Sequence, residues 1–514
     1  MAGAMAVLAG ILLFQPAIVA WGGALILGLS AARALTLLSV ARVRAAGFEM
    51  VWRNGGRTVR VIKGQTVELL AEVRNRDTRA VRFGELRVVA SPSVAIEIEA
   101  QAGEVPAGGR LEVVVKLRGK RVGRHGLFGL GLELRGSPGL FEVPLTFSNP
   151  FGVEVLPALA TARRARLRAG PAQAGSRPSR RSGDASEFSE IRDHQLGDPL
   201  KRVAWKASAR RGKLLVRTYE LEDREVVWFV LDASVELWAG RIGSAPLDLA
   251  IDAIADLSRQ HLRAGHEVGL DVLAPHLVAN VAAGRGTAQE RRILDALVAT
   301  PTALEPGRSG LDERGVAQRV LEHLSALAPG AAAQLGAANL DGIAKLARDL
   351  LEQAPFPELV VPAAAPRESL LRSYLAAFGI SLPPRLEPER GKTDAALIET
   401  LTARCRARVS GLVYVVSPFP DAQRLERLSP TLRRARRTRT RLRWLHPSEV
   451  PGLDAAASAM DLVARTAAGL RAETERRGSE LALRRLGISS SVCTPAEPGA
   501  ADSTNLDPKG HRAA

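Results

Sequence analysis

A long apolar stretch at the amino terminus is the feature that most restricts how this chain can fold. Residues 4–41 carry a single charged side chain, Arg33. A membrane-spanning helix needs about 20 apolar residues, so the stretch has room for two short helices, or for one long helix and a leader. Gln15-Pro16 and residues 21–23 are two candidate turns. The sequence predicts a transmembrane hairpin in residues 1–45.

A cleaved signal peptide is the main alternative for this stretch. Such a leader begins with basic residues, whereas no Lys or Arg precedes Arg33 here, and its apolar core is shorter. Arg42 and Arg44 follow the apolar residues at once, and basic residues favour the cytoplasmic side. We therefore expect an inner-membrane protein whose soluble domains are cytoplasmic.

The next segment, residues 46–160, alternates apolar and polar residues in short runs. Residues 66–73, 86–89 and 111–117 show this period of two, with Gly, Pro and Asn between the runs. The pattern is typical of half-buried strands joined by turns. It predicts a β-rich, sandwich-like domain.

Residues 161–224 begin with a basic linker. Arg, Gly, Ser and Pro dominate residues 162–183, and the whole chain has a formal net charge of +17. A charge run of this kind is either simply solvated or a surface for anionic lipid or nucleic acid. Neither a platform of interleaved aromatic residues nor a DNA-binding motif accompanies it. We expect no specific nucleic-acid partner.

An α/β domain is predicted for residues 225–493. The apolar run 226–231 is typical of a central parallel strand, because both faces of such a strand are buried. Further strands are predicted at 267–273, 412–416 and 440–445, with helices at 247–264 and 289–299 between them. This alternation favours a doubly wound, mostly parallel sheet. We expect the insertion at about 300–391 to extend one side of the sheet, and residues 494–514 to form a disordered tail.

The segment that leads into this domain carries an unusual series of motifs. In order they are Glu187-Phe188, Leu196-Gly197-Asp198-Pro199, Trp205-Lys206, Arg210-Arg211-Gly212 and Asp232-Ala233-Ser234. The series resembles the signature of the domain of unknown function 58 (DUF58) family. The resemblance implies a von Willebrand A-like fold, a membrane anchor, a β-rich spacer and a MoxR-type AAA+ ATPase as partner.

Part of a metal site of the von Willebrand A type is also implied. That site combines Asp-x-Ser-x-Ser with a Thr and an Asp from two later loops, and such oxygen ligands suit Mg²⁺. Asp232 and Ser234 match the first loop, Glu236 replaces its second serine, and Thr393 resembles the second-loop threonine. Pro418 stands where the last Asp is expected, although Asp421 follows closely. Alternatively, Asp232 and Ser234 only cap the backbone that follows.

The charged residues of the signature segment allow two interpretations. Lys206, Arg210 and Arg211 lie near one face of a helix and could pair with the glutamates of the segment, which would fasten the linker to the α/β domain. The same residues, with Asp198 and Trp205, could instead form a surface that binds a partner protein. Trp205 itself is expected to be a packing anchor.

The sequence therefore predicts a membrane-anchored scaffold or adaptor that works with a MoxR-type ATPase in the assembly or maturation of protein complexes, and not an enzyme. Phosphate-binding loops, hydrolase elbows and zinc motifs are absent, and the two cysteines have no metal-ligand spacing. Two alternatives remain: a Mg²⁺-dependent hydrolase centred on Asp232, and an anionic lipid or nucleic-acid binder that uses the Arg-rich linker.

Overall fold

The structure is a computed structural model that describes most of the chain. The described residues are 2–98, 103–135, 139–158, 187–195, 200, 203–220, 225–302, 308–362, 365–406, 411–438, 440–448 and 459–493. They fall into two compact units. Unit 1 comprises residues 1–158, 235–251 and 294–388, and unit 2 comprises residues 159–234, 252–293 and 389–514.

Two helices occupy the apolar amino terminus. Helix α1 (Ala2–Leu12) and helix α2 (Pro16–Ala46) are separated at the predicted Gln15-Pro16 break. They pack against each other through glycines: a Cβ on Gly22 would lie 2.7 Å from a methyl group of Val7. The two segments thus form a helix pair, as predicted.

The lengths of the two helices differ, and this limits the hairpin prediction. Helix α1 has 11 residues and extends about 16 Å at ~1.5 Å per residue, whereas the hydrocarbon core of a bilayer is ~30 Å thick. Helix α2 has 31 residues, and it is the helix among those described that is long and apolar enough to cross a membrane. Of these two helices, α2 is therefore the candidate for a crossing, and the transmembrane hairpin stays a prediction.

The carboxyl-terminal half of α2 is fastened to the β-rich part of unit 1. Thr36, Val40 and Val43 are buried along one face of the helix, and Val40 and Val43 belong to the core of the β-rich part. The Arg42 guanidinium binds the Asp77 carboxylate at 2.8 Å. The helix ends at Gly47, whose φ of 93° suits a left-handed cap.

Strands of unit 1 form two sheets around one apolar core. Their bounds are β1 Phe48–Trp52, β2 Thr58–Ile62, β3 Thr66–Asn75, β4 Val81–Ala90, β5 Val94–Ile98, β6 Gly103–Val105, β7 Arg110–Gly119, β8 Gly123–Arg135 and β9 Glu142–Leu156. The sheets have the orders β1-β3-β7-β5 and β2-β9-β8-β4-β6, and only the pair β2–β9 is parallel among these described strands. Both contribute to one buried cluster. The alternation predicted at 66–73, 86–89 and 111–117 falls in β3, β4 and β7.

The insertion belongs to unit 1, which corrects the expectation that it extends the α/β sheet. Its helices are α6 Glu313–Leu327, α7 Pro329–Ala332, α8 Leu340–Asp349 and α9 Arg367–Ala377. The amide of Gly126 in β8 donates to the carbonyl of Gly379 at 3.0 Å. A Cβ on Gly126 would lie 2.2 Å from the Phe378 carbonyl, and one on Gly152 would lie 2.7 Å from the Phe356 ring. Glycines on the strands thus let the insertion approach the backbone closely.

Unit 2 contains a six-stranded sheet. Its strands are β12 Val226–Asp232, β13 Glu267–Leu273, β14 Leu277–Gly284, β15 Gly411–Val416, β16 Arg441–Pro447 and β17 Ser489–Cys493. The order is β14-β13-β12-β15-β16-β17, and β14 is the antiparallel edge strand. The other pairs are parallel. This confirms the mostly parallel sheet that the apolar runs predict.

Helices cover both faces of this sheet. They are α4 Pro246–Arg263, of which residues 252–263 lie in unit 2, α10 Arg390–Arg406, α11 Ala422–Arg437 and α12 Ala459–Arg485, with α5 Gly286–Ala299 divided between the units. Helices α10, α11 and α12 pack on the face of the sheet that carries Val413 and Trp444. On the other face, His261 of α4 contacts the Tyr414 hydroxyl at 3.1 Å. A smaller piece of unit 2 combines the ribbon β10 (Glu187–Asp193) and β11 (Leu215–Glu220) with helix α3 (Trp205–Arg211).

Candidate functional site

The candidate site lies where β12 and β15 end side by side. In a doubly wound sheet, ligands bind at the carboxyl ends of the strands, where the strand order reverses. Asp232 ends β12, is 1% exposed, and accepts hydrogen bonds from the Ser234 amide at 3.1 Å and the Ser234 hydroxyl at 2.6 Å. Ser417, which follows β15, donates its hydroxyl to the other Asp232 oxygen at 2.6 Å. Asp232 thus caps the backbone that follows, as one of the two interpretations predicts, whereas the Ser234 hydroxyl binds the Asp232 carboxylate.

A buried arginine completes this group. Arg424 on α11 is 1% exposed, and its Nη2 lies 3.2 Å from Asp232 Oδ2. Its Nε donates to Asp394 Oδ1 at 2.5 Å, and its Nη1 donates to the carbonyl of Pro418 at 3.2 Å. The guanidinium thus joins two buried carboxylates and one backbone oxygen. We call Asp232, Ser417, Asp394 and Arg424 the arginine clamp.

Local structure places Arg424 in the clamp. Asp421 caps the start of α11, and its carboxylate accepts the backbone amide of Arg424 at 2.7 Å. The Trp444 indole donates to the Ser417 carbonyl at 2.9 Å, which holds the turn after β15 against the core. His446 accepts the Phe419 amide at Nδ1, 3.0 Å away, and burial lowers the pKa of this imidazole to about 4. His446 therefore stays neutral at pH 7.

Electrostatics at the clamp are dominated by desolvation. Burial raises the pKa of the Asp394 carboxyl, and the nearby Asp232 charge acts in the same direction, while Arg424 opposes both. Arg427, on the next turn of α11, lies 3.2 Å from Asp394 Oδ2. Taking two carboxylates out of water costs several kcal/mol per ion unless a cation and hydrogen bonds compensate. Arg424 supplies that cation.

Only part of the predicted Mg²⁺ ligand set comes together in unit 2. Asp232 and Ser234 are adjacent, whereas the Thr393 hydroxyl donates to the carbonyl of Glu389 at 3.2 Å. Asp394, the neighbour of Thr393, reaches the clamp instead. Glu236 lies in the turn Val235–Leu237 of unit 1. Within the described ranges, no three His, Cys, Asp or Glu side chains cluster as metal ligands do, and Mg²⁺ binding stays a prediction.

The predicted partner-binding residues lie on α3, apart from Asp198, which falls outside the described residues. Trp205 is 62% exposed, so the prediction that it anchors the packing of this segment is wrong. Lys206, Arg210 and Arg211 are also exposed. No ion pair joins them to a side chain that the structure describes, and the glutamates predicted to pair with them have side chains outside that set.

Helix α3 is nonetheless firmly held. The Ser208 hydroxyl accepts the Leu215 amide of β11 at 2.9 Å, and the Ala204 amide donates to the Leu215 carbonyl at 2.8 Å. Val203 and Ala204 are buried beneath the helix. These contacts fix the helix through its inner face, which leaves the Trp205 indole on the outside.

Relatives of known sequence are uncharacterized. The chain is 30% identical over 122 residues to uncharacterized protein Mb1516 of Mycobacterium bovis, and equally to Rv1480 of Mycobacterium tuberculosis. The matched part is 24% of this chain and 38% of each relative, so the match spans well under half the length of these curated relatives.

Solved structures add little. The PapD-like domain 7 of human CEP192 matches with 16% identity and a TM-score of 0.18, covering 22% of this chain and 89% of that domain. The cupredoxin domain of amoB from Nitrosocaldus yellowstonii matches with 8% identity and a TM-score of 0.15, covering 21% of this chain and 84% of that domain. These domains have other folds than the predicted von Willebrand A type, and at such scores the likeness carries no argument.

A family model agrees with the sequence motifs. The model described as "Protein of unknown function DUF58" matches residues 190–328. This range includes the motifs on which the resemblance was based, except Glu187-Phe188, which precedes it. Over residues 190–328, the chain is thus matched to the DUF58 family.

Proposed function

We propose that this protein is a membrane-anchored scaffold or adaptor whose DUF58 segment binds a partner protein. The observation that carries the proposal is the exposure of Trp205, at 62%, on a helix whose inner face is fixed. Trp and Arg are the residues that most often dominate binding energy at protein interfaces. An indole exposed to water on a helix that also carries arginines is therefore better explained as an interface anchor than as part of a core.

Other exposed side chains of the matched family segment support a docking surface of mixed character. Leu200 is 64% exposed, Leu214 45% and Ile191 42%, all within the matched family segment. Lys206, Arg210 and Arg211 add positive charge. Such a surface suits a partner with an apolar pocket for the indole and acidic residues around it. The family resemblance names the partner as a MoxR-type AAA+ ATPase, and the process as assembly or maturation of protein complexes.

The fold of unit 2 is proposed to be von Willebrand A-like. The strand order with one antiparallel edge, and Asp232 with Ser234 at the end of the central strand, support this proposal. A Mg²⁺-dependent hydrolase centred on Asp232 is less well supported, because Arg424 would first have to leave that carboxylate. The Arg-rich linker, on which the lipid or nucleic-acid alternative depends, lies outside the described residues.

The proposed location is the inner membrane, with the soluble parts in the cytoplasm. Helix α2 has the length to cross a bilayer, and exposed apolar side chains such as Trp21, Leu27 and Leu38 line it. Arg42 and Arg44 follow at its carboxyl end, which favours the cytoplasmic side for the domains that come after.

Binding of the detergent-solubilised full chain to a purified MoxR-type AAA+ ATPase tests the proposal. We expect Trp205→Ala to weaken binding at least tenfold, since truncation of an interface anchor costs about 2 kcal/mol or more. The matched control is Leu470→Ala on α12, because Leu470 is 66% exposed and lies outside the family segment. Equal affinities for the wild type and Trp205→Ala would rule out α3 as the docking site, and no binding by the wild type would rule out this partner.

A further inference from the structure

The turn between α1 and α2 holds an apolar residue in an unusual backbone conformation. Phe14 has a φ of 52°, and among the described residues it is the non-glycine residue that lies in the left-handed region. A bulky side chain is strained in this conformation, and glycine or asparagine usually occupies such a position. Phe14 is also 91% exposed. In water this residue would be unfavourable both for its conformation and for its apolar surface.

The backbone of the turn is closed by hydrogen bonds within the chain. The amide of Gln15 donates to the Gly10 carbonyl at 2.9 Å, and the amide of Phe14 donates to the Ile11 carbonyl at 3.2 Å. This pair of bonds is the Schellman motif of a helix end. Pro16, which begins α2, has no N–H group to pair. The donors of Phe14 and Gln15 are thus paired inside the protein, which hydrocarbon requires and water does not.

The side chains around the turn are apolar and exposed. Leu12, Leu13 and Phe14 follow one another there. Gln15 is the one polar side chain of the turn and carries no charge, and no charged residue precedes Arg33. A turn in water would leave this apolar surface hydrated, whereas a turn in hydrocarbon buries it.

Helix α2 as a whole is long enough to cross a bilayer, but not all of it is free to do so. Its residues Val40 and Val43 belong to the core of the β-rich part of unit 1. Because a charge inside hydrocarbon is costly, Arg33 lies near or outside the boundary on that side. The segment from Pro16 to Arg33 extends about 27 Å at ~1.5 Å per residue. The hydrocarbon core is ~30 Å thick, and the whole bilayer ~40–45 Å, so the turn reaches no further than the far edge of the hydrocarbon.

We propose that the turn at Phe14 lies within the hydrocarbon of the bilayer, so that the helix pair enters from the side of the β-rich part and does not cross. The partner of this surface is therefore the lipid acyl chains, and not the headgroups or the water of the far side. Close packing supports insertion of α1 and α2 as one unit, since a Cβ on Gly10 would lie 2.7 Å from the Val19 nitrogen. The inference rests on the membrane location proposed above.

Cysteine accessibility in the membranes of a bacterial expression host tests the proposal. The background is Cys493→Ser, because the other cysteine, Cys405, is buried. Phe14→Cys is compared with the control Gly55→Cys, since Gly55 is exposed in the loop between β1 and β2 and a Cβ there meets nothing within 4 Å. A membrane-impermeant maleimide is added to spheroplasts, which expose one face of the membrane, and to inverted vesicles, which expose the other.

We expect Gly55→Cys to react in one of the two preparations. Phe14→Cys should react at least about tenfold more slowly in both, because hydrocarbon suppresses the thiolate that attacks the maleimide. Denaturation in detergent should restore its reaction. Protection by the protein itself does not explain such a result, since the Phe14 side chain is exposed in the structure. Leu13→Cys gives the same readout if Phe14→Cys does not accumulate.

Two labelling results would overturn the proposal. Rapid reaction of Phe14→Cys in the preparation that protects Gly55→Cys would mean that α2 crosses the bilayer. Equal rates for the two variants in one preparation would mean that the turn lies in water on the near side. Flotation of the wild type with its membranes tests the location separately. A chain that does not float refutes the location, whereas a chain that floats but carries a reactive Phe14→Cys thiol refutes the inference alone.

Discussion

Replacing Arg424 by methionine is the most direct test of the arginine clamp. Methionine keeps the long, unbranched apolar part of the side chain but lacks the cation that Asp232 and Asp394 share. Each of these two carboxylates is no more than 2% exposed. Removing one partner of a buried ion pair costs about 3–5 kcal/mol, because the other charge stays buried without compensation. We expect the free energy of unfolding to fall by that amount at pH 7.

The loss in the free energy of unfolding of Arg424→Met should become smaller as the pH falls. Burial already raises the pKa of Asp394 in the wild type although Arg424 opposes it, so removal of Arg424 raises this pKa further. A carboxyl whose folded pKa exceeds its unfolded value binds a proton more readily when folded. The variant therefore regains stability as the pH falls through the raised pKa towards the unfolded value of about 4, by up to about 1.4 kcal/mol per pH unit.

Urea unfolding of the full chain measures these quantities, with tryptophan fluorescence as the signal because Trp444 is fully buried beside the clamp. The double variant Arg424→Met with Asp394→Asn should recover part of the loss, since one of the two buried carboxylates that Arg424 compensates is then neutral. Wild-type stability in Arg424→Met, or a deficit that does not shrink as the pH falls from 8 to about 4, would refute the reasoning.

Mg²⁺ adds an independent arm to this test. Without Arg424, Asp232 loses its cation and Asp394 keeps only the half-exposed Arg427. We therefore expect millimolar Mg²⁺ to stabilise the variant but not the wild type. If Mg²⁺ instead stabilises the wild type, and Asp232→Ala abolishes the effect, then the predicted metal site exists and Arg424 does not replace the ion.

Three further predictions concern other parts of the chain. Gly379→Ala should cost at least about 2 kcal/mol, because φ is +69° and the added Cβ would lie 2.3 Å from a backbone nitrogen of β8, whereas Gly330→Ala, which meets nothing within 4 Å, should be nearly neutral in urea unfolding. Gly22→Val should separate α1 from α2, while Gly23→Val, with open space around it, should not; disulfide cross-linking between the helices reports the difference. His446 has its pKa lowered to about 4 by burial, so it stays neutral in the folded chain while the unfolded chain takes up a proton below about pH 6.5. Wild-type stability should therefore decline as the pH falls from about 6.5 to about 4, and His446→Asn should reduce that slope in urea titrations at several pH values.

The central strands of unit 2 could be predicted from the sequence because burial on both faces leaves a simple signal. The predicted runs 226–231, 267–273 and 412–416 correspond to β12, β13 and β15. The bounds of β13 agree, and those of β12 and β15 each differ by one residue at one end. Strand β17, with the sequence Ser-Ser-Ser-Val-Cys, carries no such signal, because it lies at the edge of the sheet and is only half-buried. Propensity alone does not identify a strand of this kind.

Arg424 could not be predicted, and the reason is physical. It lies in a helix with many exposed arginines, and nothing in its neighbours distinguishes it from them. Its two carboxylate partners are 192 and 30 residues away along the chain. The indirect signal was Pro418. The first loop, with Asp232, could bind a cation, but the last loop has Pro418 in place of the expected carboxylate. This combination indicates that a side chain, and not a metal ion, supplies the positive charge at Asp232.

The assignment of the insertion failed for a related reason. Its helices could be predicted, since Gly315–Leu327 and 339–353 have clear periodicity and appear as α6 and α8. Its position depends on Gly126 and Gly152, two glycines in strands some 200 residues earlier, which admit the Phe378 carbonyl and the Phe356 ring. A glycine inside a strand indicates a close approach but does not identify the segment that approaches.

The clamp also determines how this edge of the sheet can respond to divalent cations. A bound Mg²⁺ exchanges with solvent and can be completed by a carboxylate from a partner, whereas a guanidinium is covalently part of α11 and stays charged at every physiological pH. It ties the ends of β12 and β15 to α10 and α11 through Asp232, Ser417 and Asp394. Any rearrangement of this edge must first separate Arg424 from two buried carboxylates. We therefore expect the partner binding proposed at Trp205 to be independent of divalent cations.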